Sequence, residues 1–203
     1  MKKSVLLSIQ PKWCELISSE KKTIEVRKTR PKYEPPFKCY IYCTKGDSGF
    51  DNGDCFYTYP EPECRPIQGN GKVIGEFVCD EIIPIPVYYN NPNCHIASME
   101  FPYICMTDRE IINYIGNGKY GYGWHISDLK IYDKPKELGK FYTVCNRSGN
   151  IEDRICLNCP HLCFDSDPIN GYTRWCGVYK KKPLKKPPQS WCYVEEKKAN
   201  DEL

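Results

Sequence analysis

The sequence predicts a mainly β protein of the α+β class, a small β-barrel with flanking helices, and three observations predict it. About five or six stretches are rich in β-branched and aromatic residues and bounded by Gly, Pro or Asp, as strands are. Only two stretches carry apolar residues at helical spacing. No regular crossover helices separate the strand signals, so a small barrel is the natural way to bury their apolar faces.

The first strand is Val5-Leu6-Leu7-Ser8-Ile9, and Pro11 suits the first turn of the helix that follows. Trp13, Leu16 and Ile17 fall on one face of that helix, which ends near Ser19 and packs on the strands. Next comes the charged stretch Lys21-Lys22-Thr23-Ile24-Glu25-Val26-Arg27-Lys28. Strand side chains alternate, so Ile24 and Val26 point one way while Thr23, Glu25 and Arg27 point the other. Such a face is either solvated or lines a polar pocket.

Lys38 to Thr44 is the next strand. From Gly46 to Gly71 the chain is rich in Gly, Asp, Pro and Tyr without periodicity, and reads as an insertion over the rim of the core. Lys72 to Ile82 is the longest strand signal, with Gly75 inside it. If side-chain parity holds through Gly75, Glu76 joins the apolar face of Ile74 and Val78; a bulge at the glycine would turn it outward. Thr107-Asp108-Arg109-Glu110 has the form of a capping box and opens a second helix that Gly116 ends. Gly118 to Gly123 reads as a glycine-rich turn lacking the Gly-Lys-Ser/Thr ending of a phosphate loop, and it delivers a strand from Trp124 to Tyr132 that Pro135 stops. His125 has no Cys or His at ligand spacing, leaving a structural imidazole or an acid–base group as its two readings.

The 203 residues suit one core domain at 1–140, with the insertion at 46–71, and an extension at 141–203. Apolar residues at 40% and charged residues at 27% exclude a disordered chain. The net charge of +3 permits a nucleic-acid partner without arguing for one. No apolar run approaches the roughly 18 residues of a membrane span or forms a signal peptide, so the expected compartment is the cytoplasm. There, 14 cysteines are better read as reduced thiols and metal ligands than as disulfides.

The extension carries the metal signal. Cys156, Cys159, Cys163 and Cys176 supply four thiolates at spacing like that of structural zinc sites, with Cys145, Cys192 and His161 as further candidates. An iron–sulfur cluster uses the same ligands, and unliganded thiols are the third reading. Four thiolates would close the coordination sphere, so a structural role is expected. Lys180 to Lys186 is basic and proline-punctuated, suited to a phosphate backbone or to a solvated linker. Gln189 to Val194 resumes strand character and returns toward the core.

Ser8-Ile9-Gln10-Pro11-Lys12-Trp13, the stretch Lys21 to Lys28, Gly71-Lys72-Val73-Ile74-Gly75-Glu76-Phe77 and Trp124-His125-Ile126-Ser127, in that order, resemble an ASCH domain of the PUA-like group. The resemblance covers about residues 4 to 140 apart from the insertion. It implies a small barrel with a cleft lined by the charged strand and suited to RNA, single-stranded nucleic acid or a modified nucleoside. In that cleft Lys22 and Arg27 would hold phosphate, with Lys28 and His125 beside them, Glu25 would meet a base edge or a water, and Trp124 or Tyr42 would stack on a base. The resemblance also implies an alternative, a hydrolase acting on RNA or a nucleoside, with Glu25 or Glu76 as general base and Lys22 or His125 as its partner. Glu25 stands where the amidohydrolase branch has a threonine nucleophile, a departure that weighs against that chemistry. A third reading is a protein-interaction adaptor.

Overall fold

In the computed structural model, the structure describes residues 4–45, 56–57, 66–67, 69–87, 102–143, 162–167, 171–176 and 183–196. In chain order the elements are β1 (Ser4–Ile9), α1 (Pro11–Ser18), β2 (Ile24–Arg27), β3 (Phe37–Cys43), β4 (Phe56–Tyr57), β5 (Pro66–Ile67), β6 (Val73–Cys79), β7 (Ile82–Val87), α2 (Asp108–Ile115), β8 (Lys119–His125), β9 (Ser127–Lys136), β10 (Phe141–Thr143), β11 (Leu162–Asp167), β12 (Gly171–Cys176) and β13 (Trp191–Glu196).

Two sheets build the core. The larger is six-stranded and mixed, in the order β10-β13-β1-β3-β6-β9, and the smaller is three-stranded, in the order β2-β8-β7. Among the described residues neither closes on itself, so the mainly β class is observed there as two sheets rather than as a closed barrel. Strands β1 and β3 run parallel, Ser4 facing Lys38 and Ile9 facing Cys43, with α1 in the connection between them. All the other strand pairings among the described residues are antiparallel.

The larger sheet carries an apolar cluster on each face. On one, Val5, Leu7, Ile9, Ile41 and Phe77 pack with Cys14 and Ile17 of α1 and with Trp124. On the other, Leu6, Tyr40, Tyr42 and Val194 pack with Tyr132 and Phe141. A third cluster joins Ile24 and Val26 of β2 to Ile85, Val87, Ile111 and Ile115 beneath α2. Helix α2 opens with the expected capping box: the Glu110 amide donates to the Thr107 hydroxyl, and the Thr107 amide donates to the Glu110 carboxylate at 2.9 Å.

Several expectations are corrected. Residues 72–82 do not form one strand: β6 ends at Cys79, and β7, with Pro84 and Pro86, runs along the edge of the smaller sheet, where prolines cost no ladder bond. Of the glycine-rich stretch 118–123 only Gly118 lies in a turn, and Lys119 to Gly123 form the body of β8. Gly121 and Gly123 let Ile115 and Ile24 approach the backbone, since a Cβ there would lie 2.2 and 2.8 Å from those side chains. The strand read over 124–132 is split at Ile126, its first part in the smaller sheet and its remainder, β9, in the larger and running past Pro135.

The six-stranded sheet also crosses the division drawn between residues 140 and 141. Strand β13 lies between β10 and β1, with Val194 opposite Ser4 and Trp191 opposite Leu7. Most of the insertion at 46–71 lies outside the described residues, as do Cys145, Cys156, Cys159 and His161. Cys163 and Cys176 fall on the β11–β12 hairpin, where Cys163 pairs with Trp175 and Cys176 with Leu162. Among the described residues no helix is long and apolar enough to cross a membrane.

Candidate functional site

The charged strand forms one edge of the smaller sheet. Among the described residues strand β2 pairs only with β8, Glu25 opposite Trp124 and Arg27 opposite Tyr122. Its alternation is the one the sequence predicts, with Ile24 and Val26 turned into the cluster under α2. What the alternation does not reveal is that the second face is covered too. Lys22 is 1% exposed and Glu25 and Arg27 are each 5% exposed, beneath α1, the end of β1 and the segment leading into β13.

Burial without partners would be prohibitive for three charges, and each has them. Arg27 Nη2 donates to Glu25 Oε1 at 3.0 Å and to the Ser8 carbonyl at 2.8 Å, while Nη1 reaches Ser190 Oγ at 3.4 Å. Lys22 Nζ donates to the Ile104 carbonyl at 2.5 Å and stands 3.6 Å from Glu25 Oε2. The half-buried Trp13 ring covers Lys22, its centroid 5.0 Å from Nζ. Burial lowers the Lys22 pKa from the ordinary lysine value, and the Glu25 carboxylate only partly offsets it.

Two N–H groups in this layer have no hydrogen-bond partner among the described residues: Arg27 Nε and Trp124 Nε1, both buried. Trp124 is 0% exposed, with Phe37 edge-on at 5.6 Å and Trp191 tilted at 6.0 Å. Trp191 in turn contacts Tyr193, which meets Tyr33 at 4.5 Å, so an aromatic row leads from the site to the surface.

Lys22, Glu25, Arg27 and Trp124 are therefore brought together. Tyr42 is not: at 5% exposure it belongs to the cluster on the opposite face of the larger sheet, away from any ring that could stack beside Glu25. Trp124 is likewise enclosed. Glu76 also stands apart, because Ile41 faces Gly75 while Tyr42 faces Val73, leaving Ile74 as the extra residue of a bulge. The bulge turns Glu76 to the Tyr40 and Tyr132 side, where it accepts from Tyr132 Oη at 2.6 Å and from Lys38 Nζ at 2.9 Å. Burial works to raise the Glu76 pKa, but those bonds outweigh it and leave it lowered.

Lys28 is exposed and rests 5.2 Å above the Tyr114 ring. His125 Nδ1 pairs with Asp80 Oδ1 at 2.7 Å at the rim, and the pair is partly exposed. Burial would raise the Asp80 pKa, yet the bond from His125 helps hold it down. Sequence reasoning missed Ser8, Ile104, Ser190 and Trp191. The first three act through a carbonyl or a hydroxyl that no motif marks, and Trp191 arrives from the far end of the chain.

An open-edged, two-sheet α+β domain enclosing a charged, donor-rich site is the class these features define. No family model matches the chain, and no curated protein matches it. Solved structures that match include the ASCH protein from Zymomonas mobilis, 16% identical, covering 67% of this chain and 74% of that chain with a TM-score of 0.46. Two point-mutant forms of that protein match at 15% and 16% identity, covering 68% of this chain and 77% and 75% of theirs, each with a TM-score of 0.46. Likeness at this level transfers no residue roles, so the site is read from its own geometry.

Proposed function

We propose that the chain binds single-stranded nucleic acid, RNA in the first place, through the site around Lys22, Glu25 and Arg27. One observation carries the reading: two cations enclose one carboxylate in a layer where two further N–H donors, Arg27 Nε and Trp124 Nε1, have no partner among the described residues. Such a layer favours an acceptor-rich ligand, and nucleic acid supplies base carbonyls and phosphates. Exposed Lys21, Lys28, Arg30 and Lys32 on the same stretch would attract the backbone.

The test is a salt-series titration of the full chain with single-stranded RNA, for wild type, Glu25→Gln and Arg27→Ala. Affinity is expected to fall linearly with salt on logarithmic axes and to drop at least tenfold in both variants. Affinity indifferent to salt and to both substitutions would overturn the proposal.

A second reading, a hydrolase acting on RNA or a nucleoside, draws on the lowered pKa of Lys22 beside Glu25, the kind of pairing that prepares a general base. It predicts turnover that Glu25→Gln abolishes while binding survives. For the cysteine-rich extension, thiol spacing supports a structural zinc on Cys156, Cys159, Cys163 and Cys176. Elemental analysis of the purified chain would return one zinc per molecule, and stoichiometric iron would favour the cluster instead.

A further inference from the structure

We infer that the group this site selects is the cyclic imide edge of a nucleobase, the carbonyl, N–H, carbonyl sequence of uracil and thymine, and not a phosphate. The inference rests on the nucleic-acid reading above for the source of the base, but its chemistry comes from the order of groups that runs from Lys22, just before β2, to Glu25 and Arg27 on it. Lys22 is a donor, Glu25 is an acceptor directly opposite the Trp124 donor, and Arg27 follows as a donor on the same face as Glu25. Donor, acceptor, donor is the complement of the imide edge.

Capacity for such a ligand remains at each position. An ammonium has three N–H bonds, and Lys22 has one short partner, the Ile104 carbonyl, with Glu25 at a long 3.6 Å. A carboxylate has about four lone-pair sites, and Glu25 meets Arg27 Nη2 closely and Lys22 distantly. Arg27 Nε and Trp124 Nε1 have no partner among the described residues.

A phosphate fits the same layer poorly. Its charge would be buried within a few ångströms of the Glu25 carboxylate, where like charges repel strongly at low effective dielectric. A neutral base carries no such penalty, and its N3–H would give Glu25 a donor. Trp13 is the half-buried side chain over Lys22, so a base would enter by displacing its ring, and the same ring then offers a stacking face.

The test uses the full chain at one fixed salt concentration. Its probes are equal-length oligomers of uridine, deoxythymidine, cytidine and 3-methyluridine, with free uridine, free 3-methyluridine and inorganic phosphate as small probes. Uridine and deoxythymidine oligomers are expected to bind at least tenfold tighter than cytidine oligomers. Methylation at N3 should bring the affinity down to the cytidine level. Equal affinity for all oligomers would overturn the imide inference and leave nucleic-acid binding standing. Free uridine binding that N3 methylation abolishes, with no oligomer bound, would uphold the imide inference and overturn the nucleic-acid reading. Inorganic phosphate displacing the uridine oligomer at comparable affinity would overturn the imide inference, and no binding by any probe would overturn both.

Discussion

Lys22 shows how one residue couples the site to stability. Its folded pKa lies below the ordinary lysine value of 10.5, so the folded chain releases this proton at a lower pH than the unfolded chain does. Between the folded value and 10.5 the unfolded state binds more protons, and stability therefore gains with pH across that window. Raising the pH from about 8 to about 10 should move the urea midpoint of the wild type upward relative to Lys22→Met. An unchanging difference between the two would show that folding does not lower the Lys22 pKa into that range. At this scale the sequence named Lys22, Glu25 and Arg27 as a group but left open whether their face was wet. That depends on residues far along the chain, Ile104 and Ser190, whose carbonyl and hydroxyl complete the site.

Among the elements, β6 turns on Gly75. A Cβ at this position would lie 2.6 Å from the Lys130 carbonyl of β9, and a backbone atom cannot step aside as a flexible side chain can. Gly75→Ala should cost about 1–3 kcal/mol in urea unfolding and speed amide exchange across β6 and β9. A loss within about 0.5 kcal/mol, the range of an ordinary surface substitution, would contradict the close packing. The capping box of α2 was legible because its signal is local, Thr107 and Glu110 three residues apart. The strand character of 119–123 was not, because its glycines read as a turn until Ile115 and Ile24 are seen filling the space beside them.

The whole molecule is held by a strand from its far end. Strand β13 lies between β1 and β10, Ser8 N donates to the Ser190 carbonyl at 2.9 Å, and Ser8 Oγ donates to the Pro188 carbonyl at 2.7 Å. A fragment ending at residue 182 would leave the ladder edge of β1 open and uncover Trp124, Leu6 and Leu7. It should lose cooperative thermal unfolding by circular dichroism. A sharp transition near that of the full chain would show that the rest of the chain folds without β13.

Local signals in the sequence determined the helices, most of the strands, the mainly β class and the trio of charges on and just before β2, because periodicity and capping act over a few residues. Tertiary structure alone decided which face of β2 is covered, that Glu76 turns away at the Gly75 bulge, that Tyr42 lies on the opposite face from Glu25, and that the site is completed by residues 188–193. Each of those outcomes depends on a contact between segments distant in sequence, and no local pattern encodes the partner on the other side.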